Sequence, residues 1–289
     1  MGGLIDEVAA LLKRSFGLDA ASIGSSAIER AVQQRATSCG LADLELYWQH
    51  LHKAPAELQE LIEAVVVPET WFLRDRESFA ALGQLAGEWL RRSAGGVLRL
   101  LSLPCSTGEE PYSMAITLLE AGVPVRQFTV DAVDISSQSL ELARRAEYGR
   151  NAFRGTEPGF RERYFSGVED RWRLNDAVRR QVRCRQGNLL GGDLLQGEPA
   201  YDIVFCRNVL IYFDRATQQQ ALAVIARLLK PEGVVFVGPS EAALLLRHDF
   251  QSLKLPLSFA FRRAAAPAIA PARPAATRKA VAPPAAPPR

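Results

Sequence analysis

Glu109 and Glu110 stand together where the apolar run 97–103 ends in Pro104-Cys105-Ser106-Thr107-Gly108 and a helical pattern begins at 112–120. Strand, tight loop and helix in that order make the first unit of a doubly wound α/β sheet, whose ligands sit beyond the carboxyl ends of the strands. The loop is no phosphate cradle. It has one Gly, no G-x-G-x-x-G, no Lys after it, and two acids where phosphate would bind. Carboxylates there suit a cationic ligand with an ammonium group and free hydroxyls, a description that S-adenosylmethionine meets. Asp134 ends a second apolar stretch, 128–136, lying 24 residues after Glu110. An acid so placed is the usual partner of ribose hydroxyls.

These side chains need elements to hold them. A third unit, 201–214, is an apolar run that passes into polar residues near Tyr212. Upstream, residues 1–67 read as helices: Leu4, Ile5, Val8, Leu11 and Leu12 keep helical spacing, Gly40 breaks it, and Pro55 suits the start of a helix over 57–67. Pro68 ends that pattern, and a connecting stretch, 68–75, carries Thr70, Trp71, Phe72 and Arg74. Trp71 and Phe72 read as core packing, and a surface ion pair with Asp75 or Glu77 is the plain alternative for Arg74. A helix over 76–93 follows. The segment 144–185 holds twelve Arg against six acids, and 172–174 and 181–185 alternate like short strands. A helix over 216–230 stops at the turn Lys230-Pro231-Glu232-Gly233, and strands are expected at 234–238 and 257–262. Residues 264–289 are rich in Ala and Pro and cannot bury enough apolar surface to fold, so they read as a linker or tail.

At 289 residues the chain has room for one large domain and a small one. Its composition, 48% apolar and 23% charged, is that of a soluble globular protein. No apolar run reaches the ~18 residues of a membrane span, the start is amphipathic rather than a signal peptide, and Asp6 stands where a myristoylation signal wants Ser or Thr. Cys39, Cys105, Cys184 and Cys206 show no C-x-x-C spacing and the three His add no ligand set, so no metal and a reducing, cytoplasmic setting are expected. The net charge of +3 comes from residues 262–289, which hold six basic residues and no acid; the rest carries 29 basic and 32 acidic residues. A nucleic-acid partner is therefore not implied.

The strings CSTGEEPYS, AVDIS and FCRNVLIYFD, taken together, resemble the CheR family of chemotaxis receptor methyltransferases over roughly residues 10–263, and LIEAVVVPETWFLRD points to its surface-sensing branch. The resemblance implies a Rossmann-like methyltransferase sheet (74–263) with a small antiparallel β insertion (146–185), an N-terminal helical domain with its linker (1–73), and the Ala/Pro-rich 264–289. It implies S-adenosylmethionine as methyl donor, S-adenosylhomocysteine as product, and glutamates in the cytoplasmic helical domain of a methyl-accepting chemoreceptor as acceptors. Glu110 would take the amino-acid end of the donor, with Glu109 second to it. Asp134 would hold the ribose, Asn188 and Leu189 the adenine side, and Arg207 and Asn208 the loop after the following strand. Thr70 and Arg74 would come from the linker, and Arg74 and Tyr212 would lie beside the reacting methyl. Arg30 and Arg35 are candidates for receptor docking, against a solvated helix face. The basic insertion reads as a surface attracting an acidic receptor bundle, although some members grip a receptor's C-terminal pentapeptide there. Two departures stand out: Pro68 where the family usually has Asn, and Ser136 where it has a second acid. Relatives of that branch continue into helical repeats, so the chain is expected to be part of a longer protein. A methyltransferase of small molecules or RNA, or a non-catalytic cofactor-sensing module, remains an alternative.

Overall fold

The computed structural model describes residues 2–92 and 95–264. The Ala/Pro-rich stretch from 265 onward lies outside the described residues.

Five helices come first: α1 (Gly2–Phe16), α2 (Ala20–Ile23), α3 (Ser25–Ser38), α4 (Leu44–Lys53) and α5 (Pro55–Val65). Their apolar faces meet in one core containing Val8, Leu12, Ile28, Val32, Tyr47, Leu61 and Ile62. The helix starts are written in the sequence. Asp43 accepts a bond from the Glu45 amide at 2.9 Å, and Pro55 opens α5 where its missing N–H costs nothing. Inside this core Glu57 accepts Arg35 Nε and Nη2, at 3.0 and 2.8 Å, and the Tyr47 hydroxyl at 2.9 Å. Arg35 is thus engaged within the helical domain. Arg30 stays exposed. Cys39, His50 and Glu57 do come together here, contrary to expectation. The carboxylate is nevertheless already filled by Arg35 and Tyr47.

Next come α6 (Arg76–Arg92), β1 (Leu98–Ser102), α7 (Glu109–Glu120), β2 (Phe128–Asp134) and α8 (Ser137–Arg145). The insertion follows as β3 (Glu147–Tyr148), α9 (Phe160–Tyr164), β4 (Phe165–Val168), β5 (Arg171–Leu174) and α10 (Asp176–Arg179). The chain then completes the sheet through β6 (Val182–Gln186), β7 (Tyr201–Phe205), α11 (Arg215–Leu228), β8 (Leu229–Phe236), α12 (Ala242–Leu245), β9 (Phe250–Ser252) and β10 (Ala260–Arg263). The seven-stranded order is β6-β2-β1-β7-β8-β10-β9, parallel from β6 to β8 and antiparallel beyond. From β1 the chain winds outward to β2 and β6, then returns to β7 on the other side. The reversal lies between β1 and β7, and their carboxyl ends open the ligand crevice of this sheet class.

Three expectations shift. Residues 181–185 do not belong to the insertion: β6 is the parallel edge of the main sheet, paired with Val130–Asp134. The small sheet is β3-β5-β4 alone. The turn at Lys230–Gly233 is a bulge inside β8, between the pairs Tyr201↔Leu229 and Ile203↔Val234, and Lys230 closes it on Asp202 at 2.8 Å. The last strand starts late, at Ala260, because Leu257 and Phe259 adopt left-handed backbone, φ 52° and 50°.

Phe72 is fully buried as expected, within an aromatic cluster of Tyr148, Phe153, Phe160 and Phe165 from the insertion. Trp71 is not core. Both the Arg74 and Arg154 guanidiniums lie over its ring, 4.4 and 3.9 Å from the centroid.

Candidate active site

A cavity of about 340 Å³ lies between the helical domain and the carboxyl ends of β1, β2 and β7. Thr70, Arg74, Glu110, Asp134, Asn188, Leu189, Arg207, Asn208 and Tyr212 all border it. Glu109 does not. It is buried against Thr107 Oγ1 (2.6 Å) and faces a neighbouring cleft.

The loop after β1 sets the first acid. Gly108 adopts φ 96°, and a Cβ there would lie 2.9 Å from Ala143, so only glycine makes this turn into α7. The turn directs Glu110 inward, where it accepts the Ser102 hydroxyl at 2.8 Å and Arg207 Nη1 at 3.0 Å. Arg207 is 4% exposed and also grips Asp75. It therefore holds Glu110 from behind as well as bordering the cavity. Asp134 ends β2 and accepts one backbone N–H on each oxygen, from Ser106 (2.7 Å) and Ser136 (2.9 Å). Each oxygen keeps a second lone pair for a ligand hydroxyl.

Ser136 resolves one departure from the family pattern. Its hydroxyl caps α8 through the Ser139 amide (2.9 Å) and donates to Glu63 of α5. Glu63 also accepts the Ser137 amide at 2.7 Å, so an acid from the helical domain caps α8 beside Asp134. The domains are stitched again where Asn188 Nδ2 donates to the Ser15 carbonyl at 2.7 Å and the Asp19 amide to the Tyr212 carbonyl at 2.9 Å. The Asn188 amide is thus engaged by α1, leaving Leu189 as the apolar surface on that side.

Arg74 forms neither ion pair that the sequence allowed. Its Nη1 donates to the Glu69 carbonyl at 2.8 Å while the guanidinium stacks on Trp71. The residues on either side of it, Leu73 and Asp75, are both left-handed, φ 56° and 57°. For a bulky residue such as leucine that conformation costs about 1–3 kcal/mol and persists only where the surroundings enforce it. Here the Leu73 amide bonds Ser113 Oγ at 2.9 Å, and the Phe72 amide bonds the Ala152 carbonyl at 2.8 Å. Tyr212 is 38% exposed at the cavity rim. Asn208, φ 58°, is fixed by Glu241, whose carboxylate accepts the amides of Asn208, Val209 and Leu210 at 2.8–2.9 Å.

Sequence reasoning missed Asp75, Glu63 and Glu241, and the cavity wall of Phe16, Ile62 and Val65 from the helical domain. Asp75 at least sits beside Arg74; Glu241 gave no signal, since its partners are some thirty residues upstream. The Arg-rich segment 144–185 is less basic in effect than in count. Arg145, Arg154, Arg161, Arg163, Arg173, Arg179 and Arg185 each pair with a nearby acid.

Burial pushes the Asp134 carboxyl above its ordinary 3.8, with backbone N–H groups pulling the other way. Burial likewise raises Glu110 above 4.5 against the pull of Arg207. In the empty protein these acids therefore take up protons sooner on acidification than exposed carboxylates do. The folded pKa lies above the unfolded one, so ionising these groups with rising pH weakens the empty fold. A cationic ligand that needs them charged binds best above that window. Calorimetric affinity for S-adenosylmethionine is expected to fall on acidification, beginning above the ordinary carboxylate values of 3.8 and 4.5. Constant affinity down to about pH 4.5 would contradict the account.

An α/β sheet whose strand reversal opens on a cavity bordered by two acids, Glu110 and Asp134, has the ligand crevice of a doubly wound protein. Residues 68–259 match the family described as "CheR methyltransferase, SAM binding domain", and residues 4–66 match "CheR methyltransferase, all-alpha domain". The chain belongs to the CheR methyltransferase family. It is 55% identical over 259 residues to the probable biofilm formation methyltransferase WspC of Pseudomonas aeruginosa, covering 89% of this chain and 61% of that one. The WspC of Pseudomonas putida is 52% identical over 87% of this chain and 60% of its own. Chemotaxis protein methyltransferase 2 of P. aeruginosa is 35% identical over 84% of this chain and 87% of that protein. The chain spans about three fifths of the length of the two WspC proteins. The cavity fits the methyl donor bound by that domain. Ser106 Oγ and Arg207 Nε are buried there without a partner among the described residues, and Asp134 and Glu110 put two carboxyl groups on the cavity of a kind that could take hydroxyl and ammonium groups.

Proposed function

We propose that the chain transfers a methyl group from S-adenosylmethionine to glutamate side chains in the cytoplasmic helical domain of a methyl-accepting receptor, forming methyl esters. The names of the relatives support this, and the single observation that carries it is the rim. Arg74 and Tyr212, two side-chain donors, border the same cavity as Asp134 and Glu110. Asp134 would hold the ribose, Glu110 the amino-acid end, and Leu189 the adenine side, with Asn188 tying that loop to α1. The bound donor supplies an electrophilic methyl on a sulfonium.

The acceptor requires no base. A glutamate side chain has an ordinary pKa of about 4.3 and is already ionised near neutrality. The protein's task is to hold two molecules in line, which can supply as much as about 7–11 kcal/mol of the barrier. Arg74 suits this because a guanidinium fixes both oxygens of a carboxylate. Tyr212 adds a second donor. The plain test is the single-turnover rate on receptor fragments with saturating donor. It is expected to stay nearly flat between about pH 6 and 8, and Tyr212→Phe to lower it without adding a pH dependence. A rate that rises roughly tenfold per pH unit and is flattened by Tyr212→Phe would make that residue a base and the acceptor something other than a carboxylate.

A further inference from the structure

A chain of ion pairs, Glu110–Arg207–Asp75, runs from the cavity to the residue that follows Arg74. Arg207 is 2% exposed in its side chain and has two carboxylate partners, Glu110 (3.0 Å) and Asp75. Its Nε has no partner among the described residues. Glu110 borders the cavity, whereas Asp75 does not. Asp75 is the residue after Arg74, and the turn between left-handed Leu73 and Asp75 is what points Arg74 at the cavity. A backbone this unfavourable stays put only when something on each side enforces it. On the Leu73 side the enforcing contacts are Ser113 Oγ and the buried Phe72. On the far side, the side-chain anchor is the Asp75 carboxylate on Arg207.

We propose that Asp75 is a positioning residue for methyl transfer, acting only through Arg74 by locking the end of its turn to Arg207. The inference rests on the reading of Arg74 given above. Asparagine keeps the shape of aspartate and tolerates left-handed backbone, but it loses the charge that grips a buried guanidinium. Glycine removes the side chain and takes the same backbone freely.

The test uses the whole chain, receptor fragments as acceptor, and S-adenosylhomocysteine affinity by calorimetry as the check that the site is folded. Asp75→Asn and Asp75→Gly are each expected to lower kcat roughly tenfold, with S-adenosylhomocysteine affinity kept within about threefold because Arg207 still holds Glu110. In an Arg74→Ala background Asp75→Asn is expected to cost nothing more, since a residue acting through Arg74 has nothing left to position. An unchanged kcat in Asp75→Asn, full recovery in Asp75→Gly, or a further tenfold loss in the double variant would overturn the proposal while leaving the proposed function intact. Arg74→Ala with a wild-type rate would overturn both.

Discussion

Replacing Arg74 by alanine is expected to lower kcat on a receptor acceptor by roughly a hundredfold. The side chain meets the cavity from a turn locked by Ser113, Phe72 and Asp75, with its guanidinium stacked on Trp71. Such fixation matters when the chemistry is in-line displacement, because misplacing a reactant by about 1 Å costs on the order of a hundredfold. Arg74→Lys is expected to recover only part of the loss, since an ammonium is a point charge and cannot grip a carboxylate with two parallel bonds. Steady-state kinetics with saturating donor checks both. Full activity in Arg74→Lys would show that charge alone, not orientation, is what the site needs.

The second large effect is on donor binding. Asp134→Ala is expected to weaken S-adenosylmethionine affinity about ten- to a hundredfold, the equivalent of roughly 1.5–3 kcal/mol for lost charged hydrogen bonds. The same change orphans the Ser106 and Ser136 amides that the carboxylate now accepts. Asp134→Asn is therefore the sharper variant, because its amide oxygen still accepts one of them. It is expected to lose affinity with a smaller fall in melting temperature than Asp134→Ala. Calorimetry that finds wild-type affinity in a folded Asp134→Asn protein would remove this residue from the donor site.

Much of this site was legible because its parts are local. The apolar run ending in Cys105-Ser106-Thr107-Gly108, and Asp134 at the end of the next run, are signals carried by a few adjacent residues. Both lie at the cavity. Asp75, Glu63 and Glu241 were not legible, since each acts on a partner distant in sequence: Arg207, the start of α8, and the amides of 208–210. Nor was the apolar wall of Phe16, Ile62 and Val65, because helical spacing shows that a face is buried and not what covers it. The error over β6 has a similar root. Val182-Arg183-Cys184-Arg185 alternates like an exposed hairpin strand because it is the edge of the sheet. Lys230–Gly233 carried a true turn signal that β8 absorbs as a bulge. Trp71 was misread through its neighbour: Phe72 points into the aromatic cluster, and the preceding side chain faces the other way, under two guanidiniums.

The central claim is that this cavity methylates a carboxylate on a receptor, and the nature of the product bond decides it. Purified protein, methyl-labelled S-adenosylmethionine and cytoplasmic fragments of methyl-accepting receptors would be incubated, and the labelled fragment then treated with mild base. The predicted result is label on the fragment, released by base as volatile methanol, and lost when the acceptor glutamates are replaced. Base-stable label on the fragment, or tight donor binding with no transfer to any receptor fragment, would contradict the account.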